Sequence, residues 1–432
     1  MKNMSKGTEL SKGLYGGILD IDNAGFSAGV ELLNFIYGVP EDKMLSPSTA
    51  PAPIKHGHHQ ARQLAYGLDG IKDRTGQIQN LRNMLQGESA EVVLGKLFAS
   101  LQIQPPNVKR TTDSGWTRKP FFPFTSSLIH WDIKKSNENV ERVWMRGGGA
   151  LLHKILRDDP NSSRLENIRT GFKNLYTVAG GSALDRLSKF FRSESPRVEA
   201  DKPDEIESSS RANIDNFEDV YRDGLLNILE HKKLTTVGKV EALVNWSAIW
   251  LSIMQYRRSC SEVENKLLSP IVCDCATSAT SIRRLARRQF QNAFSIIQKA
   301  IDTHNKDKFS EIKAGQKNRI RGFFPSTASA VGLLNAYTGN RYFTLKVNAL
   351  ETIVAALVPA TEEMPFAEFV DQILYLNLGI VVSRGAAKSA GLLDDYDGTI
   401  FEENEKGLAT QMKAAGLLTT YSDATQMISF RR

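Results

Sequence analysis

The residues best suited to chemistry are the arginines of the segment from Ser281 to Arg321. Eleven basic residues stand there against three acidic ones, a local charge of +8 in a chain whose total is +7. The rest of the chain is therefore nearly neutral. Arg283 and Arg287, and Arg284 and Arg288, are spaced i,i+4, which puts four guanidiniums on one side of a helix. Like charges held that closely repel, and an anion relieves the repulsion. Phosphate suits them, because a planar guanidinium offers parallel donors to two of its oxygens. Lys313, Lys317, Arg319 and Arg321 stand close to Phe323 and Phe324, a mixture of cations and rings that suits single strands. The expected nucleic-acid-binding set is Arg283, Arg284, Arg287, Arg288, Lys313, Lys317, Arg319 and Arg321. The competing expectations are docking of an acidic protein surface and plain solvation.

The other constellations are incomplete. Lys109, Arg110, Trp116, Arg118, Lys119, Phe121, Phe122 and Phe124 form a basic-aromatic run. It reads first as a proline-rich loop anchoring its rings in a core, and second as a stacking platform. His56, His58 and His59 are metal-ligand types, but no carboxylate or cysteine lies near them in sequence, so a solvated loop is expected. Cys260, Cys273 and Cys275 are too few for a structural zinc site and are expected as buried small hydrophobes. Asp20 and Asp22 are spaced to hold Mg²⁺ at a strand end, without the Ser/Thr and Lys that a phosphoryl-transfer site adds. Asp132 and Lys134 end a nuclease-like pattern that has no upstream acid. His231 and Lys233 begin a His-x-Lys pattern without its Asp, and read as the cationic end of a helix. Gly147-Gly-Gly149 before a helix can offer amides to an anion, but no Gly-Lys-Ser/Thr follows, so it is no nucleotide-phosphate loop. Asp394 to Gly398 fails the calcium-loop register. No catalytic residue, metal site or cofactor is expected.

These residues need elements to hold them. At 432 residues, 41% hydrophobic and 24% charged, the chain has an ordinary globular composition. Three cysteines do not make a secreted disulfide framework. No apolar leader and no ~20-residue apolar span is present, so a non-membrane, cytoplasmic protein is expected. Ala242 to Tyr256 reads as a buried core helix. Helical spacing also marks Ala28–Tyr37, Ile78–Leu101, Glu138–Met145, Ala150–Arg157, Ser163–Tyr176, Ala183–Phe191, Phe217–His231, Val237–Tyr256 and Ser281–Ala300. Gly16–Asp22 reads as a short strand, Ser46–His59 as a loop, and Gly322–Pro325 as a break.

The fold class that follows is mainly α, a multi-domain helical protein with few short strands. The expected divisions are a mixed N-terminal domain over 1–192, a polar linker or mobile loop over 193–212, a helical domain with the basic face over 213–330, and a C-terminal module over 331–432. In that last segment, helices over Leu345–Val358 and Pro365–Asn377, a short strand over Leu378–Val382, and helices over Ala386–Leu393 and Glu402–Ala415 precede two strands, Leu417–Tyr421 and Thr425–Phe430. Helices closed by a hairpin make it winged-helix-like. The helix before the hairpin opens with Glu402, Glu403 and Glu405, which suits protein better than DNA.

The function these expectations favour is a non-catalytic, DNA-binding accessory subunit. It would belong to a larger prokaryotic DNA-processing or antiphage defence complex, with an ATPase or nuclease among its protein partners. The alternatives are a scaffold subunit docking an acidic partner, and a metal-dependent nuclease or phosphodiesterase built on Asp20 and Asp22.

Overall fold

The computed structural model describes residues 5–21, 25–46, 55–56, 61, 64–65, 83, 88–103, 121–129, 132–133, 140–141, 147–176, 182–193, 197–198, 216–264, 269–275, 280–359, 361–422 and 425–430. They are mainly helical. In chain order they form α1 (Lys6–Tyr15), α2 (Phe26–Tyr37), β1 (Lys55–His56), α3 (Glu88–Leu101), β2 (Asp132–Ile133), β3 (Val140–Glu141), α4 (Gly148–Arg157), α5 (Ser162–Leu175), α6 (Ala183–Ser193) and β4 (Arg197–Val198). Then come α7 (Phe217–Glu230), α8 (Thr236–Glu264), β5 (Ile271–Val272), α9 (Thr280–Thr303), α10 (Lys306–Phe309), α11 (Ala314–Ala330) and α12 (Val347–Leu357). The chain closes with β6 (Met364–Pro365), α13 (Phe366–Glu368), a π-helical turn (Phe369–Ile373), α14 (Leu374–Leu378), β7 (Ile380–Val381), α15 (Arg384–Ser389), α16 (Thr399–Ala414), β8 (Leu418–Ser422) and β9 (Thr425–Ile428).

Helix α8 is the axis. Val240 to Cys260 is buried on nearly every side, and α1, α2, α7, α9, α11 and α12 pack around it. A helix without a polar face must be covered all round. Its buried serines are satisfied within the helix. Ser247, Ser252 and Ser259 donate to the carbonyls of Leu243, Ala248 and Gln255 at 2.9, 2.8 and 2.8 Å. Trp250 Nε1 donates to the Phe217 carbonyl at 2.8 Å. The core helix expected at Ala242–Tyr256 is therefore present and longer. One apolar cluster runs from Leu10 to Ile428 and takes side chains from all three expected domain ranges. A satellite of Ala61, Leu64, Phe98, Phe121, Leu128 and Phe191 stands apart.

Several local expectations are overturned. Gly16–Leu19 is no strand. Gly16 caps α1 at φ 73°, and the Ser11 hydroxyl bonds the Gly17 carbonyl and Leu19 N–H, both at 2.9 Å, folding the segment back on its helix. Within the expected helix Glu138–Met145, Val140–Glu141 is instead a strand paired antiparallel with Asp132–Ile133. Within the expected Ser46–His59 loop and the 193–212 linker, β1 and β4 pair with each other. Most of that linker lies outside the described residues.

Gly322 and Pro325 do not break α11. Gly322 packs against Ile21, where an added Cβ would sit 2.8 Å from the Ile21 Cδ1. Pro325 cannot donate to the Arg321 carbonyl, but burial of Phe323, Phe324 and Ala328 around it outweighs that single lost bond.

The C-terminal hairpin forms where expected, and β6 joins it to give the strand order β6-β9-β8. A second, parallel pair, β5 with β7, brings Ile271–Val272 beside Ile380–Val381. Val272 and Val381 of this pair, with Ile282, Leu285, Ala386, Ala387 and Phe401, make the small core beneath the first turns of α9. That core fixes the position of the arginine helix.

Candidate functional site

Helix α9 buries Ile282, Leu285, Ala286, Phe290, Ala293 and Ile297 and turns its arginines outward. Arg283, Arg287, Phe290, Phe294 and Gln298 follow one another at steps of four, three, four and four residues, so they lie along one side of the helix. Arg284 and Arg288 flank that row on its exposed side.

Two arginines from other elements complete the row. Arg321 of α11 donates to Gln298 Oε1 at 2.6 Å and Asn318 Oδ1 at 2.9 Å, with its guanidinium carbon 5.1 Å from the Phe294 ring centre. Arg341, in the loop after α11, stands 4.8 Å from the Phe290 centre and 5.4 Å from that of Phe294. The two rings are stacked at 6.0 Å. Burial pushes the Arg341 guanidinium below its usual pKa; Tyr337 opposes this and the charge of Arg321 adds to it. Two guanidiniums thus repel each other across one ring, and among the described residues neither has a carboxylate partner.

The expected set divides around this row. Arg283 Nε donates to Asp274 Oδ2 at 2.8 Å, and its guanidinium carbon lies 5.4 Å from the Tyr342 ring centre. That hydrogen bond raises its pKa. Arg288 donates to the Tyr396 hydroxyl at 3.0 Å. Arg284 is exposed, Arg287 is half-buried, and among the described residues neither meets a hydrogen-bond acceptor or an ion-pair partner.

Lys317 pairs with Asp302 at 3.1 Å, and Lys313 is exposed just ahead of α11. Asp302 lies one helical turn beyond Gln298, and Lys317 one turn before Arg321. Arg319 turns away altogether and donates to both oxygens of Asp20, at 3.0 and 2.8 Å. Arg319 thus stands apart from the arginine row, while Lys317 borders its far end already paired with Asp302.

A cleft of about 700 Å³ opens beside Arg283. Asp274, Cys275, Tyr342 and Thr344 line one wall; Glu403, Lys406, Gly407, Thr410, Gln411 and Ala414 of α16 line the other. Asn404, fully buried, holds α16 in place. It accepts from Cys275 N–H at 2.7 Å and donates to the carbonyls of Cys273 at 2.9 Å and Val382 at 3.1 Å. The β5–β7 edge and the helix are thereby locked together.

The remaining candidates have structural partners. Gly147 and Gly149 do present amides to an anion, and the anion is the chain's own Glu31. Gly147 N–H reaches its two oxygens at 2.9 and 3.1 Å, and Gly149 N–H reaches Oε2 at 2.7 Å. Phe121 is buried in the satellite core, with Phe124 against it, while Phe122 packs on the main core. Cys260 and Cys273 are buried. Burial, then the neighbouring Cys275 and Asp274, push the Cys273 thiol up, and burial and Asp274 do the same to Cys275, which disfavours a reactive thiolate. His231 caps the C-terminal end of α7 and meets Phe430 edge-on. Asp397 accepts from the Thr399 N–H at 2.9 Å and so starts α16.

Among the described residues, no three His, Cys, Asp or Glu side chains group as a metal site, and no helix is long and apolar enough to cross a membrane. Asp22, His58, His59, Lys109, Arg110, Trp116, Arg118, Lys119 and Lys134 lie outside the described residues, as do the side chains of His56 and Asp132.

Arg341 and Tyr342 are the site residues that pattern reading misses. Their signal is local: a Gly339-Asn340 turn followed by a basic-aromatic pair. Only the fold puts them over α9. No family model, curated protein or solved structure matches the chain, so the site's chemistry rests on these contacts.

Proposed function

We propose that the chain is a nucleic-acid-binding subunit, with DNA as its expected target, that grips phosphates through the arginine row of α9 and takes no catalytic part of its own. The observation that carries this is the set Arg284, Arg287, Arg288, Arg321 and Arg341. These gather along one surface, and among the described residues none has a carboxylate partner. A polyanion threading the row relieves their mutual repulsion, and a guanidinium stacked on a phenyl ring can still offer donors at its edge, although Arg321 already gives two of its own to Gln298 and Asn318.

What supports a winged-helix-like C-terminal module is the order α12, β6, the α13–α14 rod, α16 and hairpin, with the strands ordered β6-β9-β8. The exposed side of α16 mixes Glu403 with Lys406 and Lys413. The arginine row, rather than this helix, is therefore the proposed phosphate grip.

The test is equilibrium binding of a labelled oligonucleotide across a salt series. Five phosphate contacts give a slope of log K against log salt of about −4.5 on duplex DNA. Changing Arg284, Arg287 and Arg288 together to Glu leaves two contacts and a slope of about −2. A wild-type slope near zero, or binding unchanged by the triple reversal, refutes the proposal and favours an acidic protein as the partner. The wider setting proposed is a prokaryotic DNA-processing or antiphage complex. Affinity purification from the host checks it, with an ATPase or nuclease and bound nucleic acid as the expected companions.

A further inference from the structure

The cleft between α9 and α16 lies at one end of the arginine row, with Arg283 and Tyr342 in its wall. Its volume of about 700 Å³ falls within the usual range for a small-molecule site. Its charge differs from that of the row. Arg283 and Lys406 are balanced by Asp274 and Glu403. A phosphate chain gains nothing from a wall with as many anions as cations. A neutral ring that carries both donors and acceptors does gain, because each edge can find a complementary group. Thr410 and Gln411 add further polar edges, and Tyr342 adds an aromatic ring at the wall nearest the row.

We infer that this cleft receives an unpaired nucleobase, so that the surface binds single strands in preference to duplex. Phosphates follow Arg284, Arg288 and the rest of the row, while one base leaves the strand and enters beside Tyr342. In a duplex every base is paired and stacked, and extruding one costs unpairing and unstacking. A single strand does not pay that cost. The inference rests on the proposed nucleic-acid reading and narrows its ligand from nucleic acid in general to an unpaired strand.

Filling the cleft without altering charge tests it. Thr410→Trp and Ala414→Trp each place a large side chain from an exposed position of α16 into the space. Binding by the full chain is measured for a single strand and for a blunt duplex of the same sequence, with DNA and RNA strands in parallel. Thermal unfolding shows that each variant is folded, and either folded variant suffices. The expected result is tighter binding of the single strand by wild type, and a loss of about tenfold on single strands alone in the variants. DNA and RNA strands that respond alike place the recognition on the base; a difference between them assigns the preferred strand. Equal binding of single strand and duplex by wild type overturns the cleft, as do variants that weaken both ligands alike or neither. The arginine row still stands in those cases if the salt dependence persists. Absence of binding to every oligonucleotide overturns both readings.

Discussion

Glu31→Ala removes the acceptor from two buried amides at once. Glu31 is fully buried on α2, and its carboxylate takes three N–H contacts from Gly147 and Gly149 at the N-terminus of α4. Each buried N–H left without a partner costs about 1–3 kcal/mol. The positive end of α4 also loses its anion, worth up to about 2 kcal/mol when buried. Relief of the carboxylate's own desolvation offsets part of this, and a net loss of about 3–4 kcal/mol is expected. Glu31→Gln keeps one acceptor and should lose about half as much.

Urea unfolding followed by tryptophan fluorescence reads the change, since Trp246 and Trp250 are fully buried in α8, against which α2 packs. Formate added to Glu31→Ala should restore part of the lost stability and leave wild type unchanged. A loss below about 1 kcal/mol for Glu31→Ala would refute the assignment of this carboxylate as the anion of the glycine turn.

Two further outcomes follow from other buried groups. Asn404→Ala leaves the Cys275 N–H and the Cys273 and Val382 carbonyls without their shared partner; a loss of about 2–4 kcal/mol is expected, and an unchanged unfolding midpoint would remove Asn404 as the lock on α16. His153 is buried on α4, and burial together with the Arg157 charge pushes its pKa down from 6.5 to about 3, against the pull of Asp158. The folded chain then binds fewer protons than the unfolded chain between those values. Stability falls as pH drops through 6.5 and the loss is complete near 3. At pH 5 the loss from this group is about 2 kcal/mol. His153→Phe should flatten that part of the pH profile, and matching profiles for the two proteins would show that the imidazole does not titrate this way.

Much of the helical body is legible in sequence because its signal is local. Apolar residues at helical spacing mark α2, α4, α5, α7 and α9 to within a few residues, and they mark the start of α8, which runs on past Tyr256 to Glu264. The errors fall where a contact distant in sequence outweighs a local rule. Pro325 reads as a break, but the burial of Phe323 and Phe324 carries α11 through it. A two-residue strand such as β5 carries too little pattern to be seen until its partner is known, whereas the apolar run Leu378–Val382 does read as a strand and forms as β7.

The arginine face divides the same way. Sequence by itself determined that the charge is concentrated between Ser281 and Arg321, and that Arg283, Arg284, Arg287 and Arg288 share one side of a helix, because both are matters of composition and a 3.6-residue period. Tertiary structure alone decided which cations stay without a carboxylate. It gave Arg319 to Asp20, 299 positions away, and Arg283 to Asp274. It brought Arg341 over Phe290 and Phe294. It also filled the Gly147–Gly149 turn with Glu31. A charge is a property of one residue, but its availability depends on every group the folded chain places within a few ångströms of it.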